Sequence, residues 1–452
     1  MNYLDFLLFP IYVLLFYFIF SARRKNYTDP ILKHYHKQGF WIKIIAVIAF
    51  TFFNTMISVG DSFLLFYTEG SHMCQMILKD TSQIKWLYLP SIDYDQTLLK
   101  NPANMGYLKG ENNYMIVRIT AILSFLSFQK YLILNLFFSM LSFSGVWRLY
   151  RFFYEQYPHL HKQLAIAILY LPTFVFWSSG ILKDPICTGA LGWITYAMYE
   201  AFYKKKDILK NVVILFIAGY LLYVIKVYIL ISYVPFFLLF LVLKNVNLIK
   251  SRVMRISFVL GLVFLAMTMF TTVMQQLAGT LGAYGGNDVT KNISIYQKAY
   301  AEQEDVGSTF SLGVEYDGSV GSLLRIAPAA VIATLYRPFI WESKKVSTLL
   351  SSLESMVIMF FTFSVFYKAG PRNFFRPILK DPTIMYCLLF ALLFALFVGA
   401  TTANFGTLVR YKIPCMPFYI IAIFLIQDWS RRNKKKPPEV SGGSVVSEGV
   451  IM

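Results

Sequence analysis

Long uncharged runs dominate this sequence and restrict what it can become. Leu7 to Phe20, Ile44 to Phe53, Val212 to Leu222 and Ile384 to Ala400 are almost wholly apolar, each with charge nearby. A hydrocarbon core of roughly 30 Å takes about 20 helical residues to cross, so runs of this kind read as the centres of membrane-spanning helices. The composition agrees, with 57% hydrophobic and 15% charged residues, against roughly 25% charged in an average soluble domain. A water-soluble globule is excluded.

The chain therefore reads as an all-α polytopic integral membrane protein with about eleven spans. They cover residues 3–20, 41–59, 131–147, 164–178, 185–203, 211–225, 227–243, 256–275, 349–367, 383–400 and 413–428. The division at Lys226 matters most, because a single bent helix over 211–243 would reverse everything after it. Residues 1–430 form one transmembrane domain, and 431–452 are a basic and then disordered tail of Gly, Ser and Val. The first segment is not a cleaved signal peptide, since Asp5 precedes it, arginines follow it, and no small-residue cleavage site separates them. No internal repeat is visible.

Orientation follows from the basic connections, because Lys and Arg are retained on the cytoplasmic side. Six clusters fall on one side of the eleven-span arrangement: Arg23 to Lys37, Arg148 to Lys162, Lys204 to Lys210, Lys244 to Arg255, Lys368 to Lys380 and Arg431 to Lys436. This places the N-terminus outside and the C-terminus in the cytoplasm, in a multi-pass protein of the cytoplasmic membrane. The formal net charge of +18 is then a topology signal, and no nucleic-acid partner is needed to explain it.

The outer face carries two long connections, about 60–130 and 276–348, in which acids such as Asp61, Glu69, Glu111, Asp288, Asp305 and Glu342 offset the bases. Connections of this length are usually functional or separately folded. Residues 112–129 and 320–336 read as interfacial helices at the outer surface, each apolar with a single Arg, Arg118 or Arg325.

Cys74, Cys187, Cys387 and Cys415 lack paired spacing, and His34, His36, His159 and His161 sit beside basic runs as solvated surface. A phosphate loop, a nucleophile elbow and HExxH are all absent, so nucleotide hydrolysis and zinc proteolysis are unsupported. The informative polar residues lie where apolar helices end on the outer side. Asp61, in Gly60-Asp61-Ser62 with Tyr67 beyond, suits a general base or a ligand for a phosphate-bridging divalent cation, although an acid at a span end is more often a simple helix terminator. WSSGILKDP, from Trp177 to Pro185, sets Lys183 and Asp184 in a hairpin too tight for a solvent loop. They are substrate-binding groups or a paired turn.

Arg410 and Lys412, in the run Asn404 to Pro417, oppose the positive-inside trend. They suit a phosphate leaving group or anchor to lipid head groups. Arg337 adds a phosphate contact or pairs with Glu342, and Trp341 belongs to the interfacial aromatic belt. Lys226, with Tyr228 close by, is a turn residue or a further substrate contact.

This constellation resembles the GT-C class of polytopic bacterial membrane glycosyltransferases. The resemblance rests on Asp61 after an early span, on the large outer connections, and on a closing Arg-Tyr-x-x-Pro-x-x-Pro run formed by Arg410, Tyr411, Pro414 and Pro417. It covers most of the spans in topology and about twenty residues in motif. Two departures stand out: an extra span precedes the acid, and no second acid adjoins it.

The resemblance implies a sugar donor linked to polyprenyl phosphate or diphosphate and a saccharide, lipid or protein acceptor. It also implies inverting displacement, with Asp61 as base and Arg410, Lys412 and Lys183 on the departing phosphate. A polymerase of lipid-linked oligosaccharide repeats fits the same features. A lipid or saccharide transporter or flippase would need charge along several spans, where only Lys226, Glu200 and Glu354 are candidates. A non-catalytic envelope component would need neither Asp61 nor the outward cations.

Overall fold

The computed structural model describes residues 3–245, 251–281, 310, 312, 320–343, 346–402 and 404–435. Most of the 276–348 connection, including Asp288 and Asp305, and the tail beyond 435 lie outside the described residues. Among the described residues the chain is predominantly helical, with no strand. Six helices are long and apolar enough to cross a membrane, or seven if a pair bent by 63° counts as one span. The protein is an all-α, multi-pass membrane protein.

The main helices are α1 (Tyr3–Lys25), α2 (Pro30–Phe52), α3 (Thr68–Lys79), α4 (Glu111–Ser127), α5 (Tyr131–Gln156), α6 (His161–Ile168), α7 (Pro172–Trp177) and α8 (Lys183–Met198). They continue with α9 (Ile208–Asn245), α10 (Arg252–Leu281), α11 (Val320–Tyr336), α12 (Val346–Ala369), α13 (Pro371–Lys380), α14 (Pro382–Thr401), α15 (Phe405–Tyr411) and α16 (Met416–Lys435).

Local chemistry starts several of them. Asp29 accepts from Ile31 N at 2.8 Å and Asp381 from Thr383 N at 2.8 Å, each followed by a proline at the first helical position. Both caps are tied to the end of α5, through the Tyr154 hydroxyl on Asp29 and the Tyr157 hydroxyl on Asp381.

The centre is α5 packed on α8 and α14 packed on α9 and α11. The α5–α8 contact is backbone against backbone: a Cβ added to Gly145 would lie 1.9 Å from the Gly189 carbonyl oxygen. Small residues substitute in lipid for the missing hydrophobic drive between helices. The α11 helix differs from a helix resting on the surface, because Leu323, Ile326 and Ala330 are buried and Thr334 donates to the Ala395 carbonyl of α14 at 2.8 Å.

One expected span is broken. Residues 164–178 form α6 and α7 with a break at Leu171, which precedes Pro172 and takes an extended conformation. Ser178 to Leu182 then run without regular helix before α8. Such backbone survives at membrane depth only where protein satisfies it.

The α9 helix folds back at Lys226, whose backbone is non-helical (φ −151°, ψ 72°). A straight helix of its 38 residues would reach about 57 Å. Yet α9 begins five residues after Tyr203, and the Lys244 ammonium near its far end lies 5.7 Å from the Tyr203 ring. Both ends therefore meet at one face, with Lys226 at the opposite apex. That apex faces the 60–130 connection, where Glu69 accepts from Lys100 N, Asn101 N and Asn104 Nδ2 at 3.0, 3.0 and 2.7 Å. This buried carboxylate holds the loop that arches over α3.

Candidate functional site

Four separate stretches of sequence meet at the Lys226 apex. Asp184 enters from the first turn of α8, where a carboxylate suits the positive end of the helix. Lys226 enters from the apex of α9. Arg410 and Tyr411 close α15, which Asn404 caps by accepting from Gly406 N at 2.7 Å. Asp61 stands three non-helical residues beyond α2's continuation, which ends at Ile57, and at the head of the next helical segment, to which its side chain makes no capping bond.

Asp184 is fully buried and uses both oxygens. Oδ1 accepts from Lys226 Nζ at 2.6 Å, and Oδ2 faces Arg410 Nε at 3.4 Å. On its other side, Arg410 Nη1 lies 3.6 Å from Asp61 Oδ2, whose side chain is 63% exposed. Aromatic faces complete the cage: Tyr411 lies 4.4 Å from the Lys226 ammonium, and Trp177 lies 5.5 Å from the Arg410 guanidinium. Lys183 is half-buried and close enough to Lys226, Asp184 and Arg410 to feel their charge. Among the described residues it makes no hydrogen bond or ion pair. Three cations thus surround two carboxylates, and the more exposed carboxylate is the one free to turn away.

No family model, no curated protein and no solved structure matches this chain. The chemistry must be read from the site itself.

The remaining sequence candidates fall elsewhere. Lys412 is fully buried and turned inward, donating to the Arg337 carbonyl at 3.1 Å and the Ser355 hydroxyl at 2.7 Å. Arg337 is forked onto Glu342 at 3.0 and 3.1 Å and lies over Phe310 and Phe405. These two residues fix the segment before α12 and stand apart from the Asp184 cluster. Tyr67 donates to the Gln129 carbonyl at 3.1 Å and packs its ring 5.0 Å from Tyr131, at the base of the arching loop. For the divalent cation, no group of three or more His, Cys, Asp or Glu side chains converges among the described residues.

Sequence reasoning missed the residues that hold the broken segment in place. Glu354 accepts from Thr173 N at 2.8 Å at the start of α7, and from the Thr173 hydroxyl. At its other end Lys43 donates to the Ser178 carbonyl at 2.7 Å and to the hydroxyls of Ser178 and Ser179 at 2.6 and 3.2 Å. Asn135 bridges Thr51 to Ile181 N, each at 2.9 Å. Gly180 lies against Phe50, where an added Cβ would come within 1.9 Å of the ring. The visible signal was a lone Lys43 at the edge of an apolar run and a lone Glu354 inside one.

Beside this segment lies an apolar groove of ≈ 700 Å³ between α6 and α7 on one side and α12 and α16 on the other. Phe53, Phe176, Trp177, Leu353, Val357 and Phe361 line it. Trp177 therefore belongs to both the groove and the cage around Arg410.

Proposed function

We propose that this chain is a membrane glycosyltransferase that moves a sugar from a polyprenyl-phosphate-linked donor to a saccharide, lipid or protein acceptor. The reading places the chemistry at the outer face of the cytoplasmic membrane, with about eleven crossings and the N-terminus outside. One observation carries it. Trp177 lines an apolar groove and also stacks under Arg410, which stands between Asp184 and Asp61. A ligand with a hydrocarbon chain and an anionic head fits that junction.

In this reading the chain of the donor lies in the groove and its phosphate binds Arg410 and Lys183. The phosphate displaces the Asp61 carboxylate from Arg410, freeing it to take the proton of the acceptor hydroxyl. The acceptor oxygen attacks the anomeric carbon, the carbon–oxygen bond to phosphate breaks, and the electron pair leaves with the phosphate. Arg410 and Lys183 stabilise that developing charge. Asp184 and Lys226 hold the guanidinium in place.

A transporter finds less support, since the buried Lys43 and the half-buried Glu354 are bonded to the two ends of α7. The test is transfer from a defined polyprenyl-phosphate sugar by the protein in nanodiscs, with analysis of lipid-linked glycans in membranes that have or lack it. Narrowing the groove with Val357→Trp is expected to raise KM for the lipid donor. Unchanged glycans and no transfer from any lipid-linked donor would remove the proposal.

A further inference from the structure

The α5 helix is enclosed almost completely, and what it leaves uncovered has a pattern. Apart from the terminal Gln156, its residues that are not buried are Phe137, Leu141, Ser144, Arg148, Arg151 and Glu155. Spacings of four and three alternate along this set, so all six lie on one line down the helix. Tyr12 and Phe16 of α1 cover Phe137, with ring centres 5.7 and 5.1 Å away. At the other end Arg151 pairs with Glu155 at 3.1 Å and lies over Tyr196, while Lys204 also binds Glu155. Between these covered ends, Leu141, Ser144 and Arg148 form the floor of a crevice flanked by α1 and α8. Trp193 of α8 donates across it to the Ser144 hydroxyl at 3.1 Å.

Arg148 lies eight residues before the end of α5, which is about 12 Å along the axis. Among the described residues its guanidinium makes no hydrogen bond or ion pair. The charged groups around it are Arg23, Arg151 and Glu200, and Glu200 is not within ion-pair distance. A half-buried guanidinium inside a membrane helix has five donors to satisfy and calls for an anion. Phosphate matches the guanidinium fork in two parallel bonds.

We infer that this crevice binds an anionic phospholipid from the leaflet on the basic face. Its phosphate sits on Arg148 with Arg23 alongside, and an acyl chain lies along Leu141 and Trp193. This site is separate from the Asp184 cluster and does not depend on the function proposed above.

The experiment is native mass spectrometry of the full chain, comparing retention of phosphatidylglycerol and phosphatidylcholine. Phosphatidylglycerol is expected to be retained preferentially. Arg148→Gln should weaken that retention by about tenfold, the scale of losing charge-assisted hydrogen bonds. Lys205→Gln, the same charge change at an exposed position, should leave it unchanged. Arg148→Lys keeps the charge without the fork and should also weaken retention, which preserves the test if the glutamine variant does not fold. Equal retention of the two lipids, undiminished retention in both Arg148 variants, or equal stabilisation by inorganic phosphate alone would overturn the assignment.

Discussion

Lys226, at the apex of a helix that turns back on itself, donates to the buried Asp184 carboxylate across 2.6 Å. The two residues close a junction between α8 and α9, and Arg410 shares the same carboxylate. Without Asp184, Lys226 would carry its charge at this depth with no carboxylate beside it, whereas Asp184 is balanced from two sides, by Lys226 and by Arg410.

Removing one partner should therefore cost more than removing both. Asp184→Asn is expected to destabilise the protein by about 3–5 kcal/mol, the scale of stranding a buried charge. Asp184→Asn with Lys226→Met should recover part of that loss. Thermal unfolding in detergent measures both, and simple additivity of the single variants would show that the pair is not coupled.

Asp61 makes the opposite prediction. Its side chain is 63% exposed, so Asp61→Asn should leave stability within about 0.5 kcal/mol of the parent. Sugar transfer should nevertheless be abolished. Parental transfer rates in a well-folded variant would take Asp61 out of the chemistry.

The broken segment depends on its distant caps. Lys43→Met leaves the Ser178 carbonyl without its Lys43 donor, and Glu354→Ala leaves the Thr173 N–H without its carboxylate acceptor. Each should cost about 1–3 kcal/mol and lower transfer, although neither residue touches the Asp184 cluster. Stability and rate measured side by side would decide it; full activity in both variants would mean that the Trp177 to Asp184 stretch holds its shape unaided.

The fold-back of α9 fixes the topology of everything after it. Cysteines placed at Lys205 and Ser251 should label from the same side of the membrane, and one at Asp93 from the other. All four native cysteines are buried, so background labelling is low. Opposite accessibility for 205 and 251 would mean a single crossing between them.

Glu69 anchors the arching loop through three hydrogen bonds. Glu69→Ala should raise limited proteolysis between residues 80 and 110 while leaving cuts in the basic connections unchanged. An unaltered digestion pattern would show that the loop is held by its packing alone.

Much of the helix layout was readable from the chain, because apolar runs, capping aspartates followed by proline, and Gly or Ser-Ser breaks act over a few residues. Lys226 was legible as a break from charge instead, because all six basic clusters fall on one side when the chain turns there. Its partner was not, since nothing local to Lys226 points to Asp184, 42 residues earlier. Lys412 shows the converse: a cation that topology marks as exceptional turns inward to the Arg337 carbonyl and Ser355, because the bend between α15 and α16 directs it there. Arg410, two residues away, faces the acids.

By itself, the sequence determined a membrane-embedded, all-helical chain, since transfer into lipid depends on neighbouring residues, while the break at Leu171 inside an expected span emerged only in the folded chain. Only the tertiary structure decided which charges meet. Asp184 and Arg410 lie 226 residues apart and come together because α7 breaks, α9 folds back and α15 ends at one depth. Ion pairing acts over a few ångströms, so it follows the packing of those helices and cannot be read along the chain.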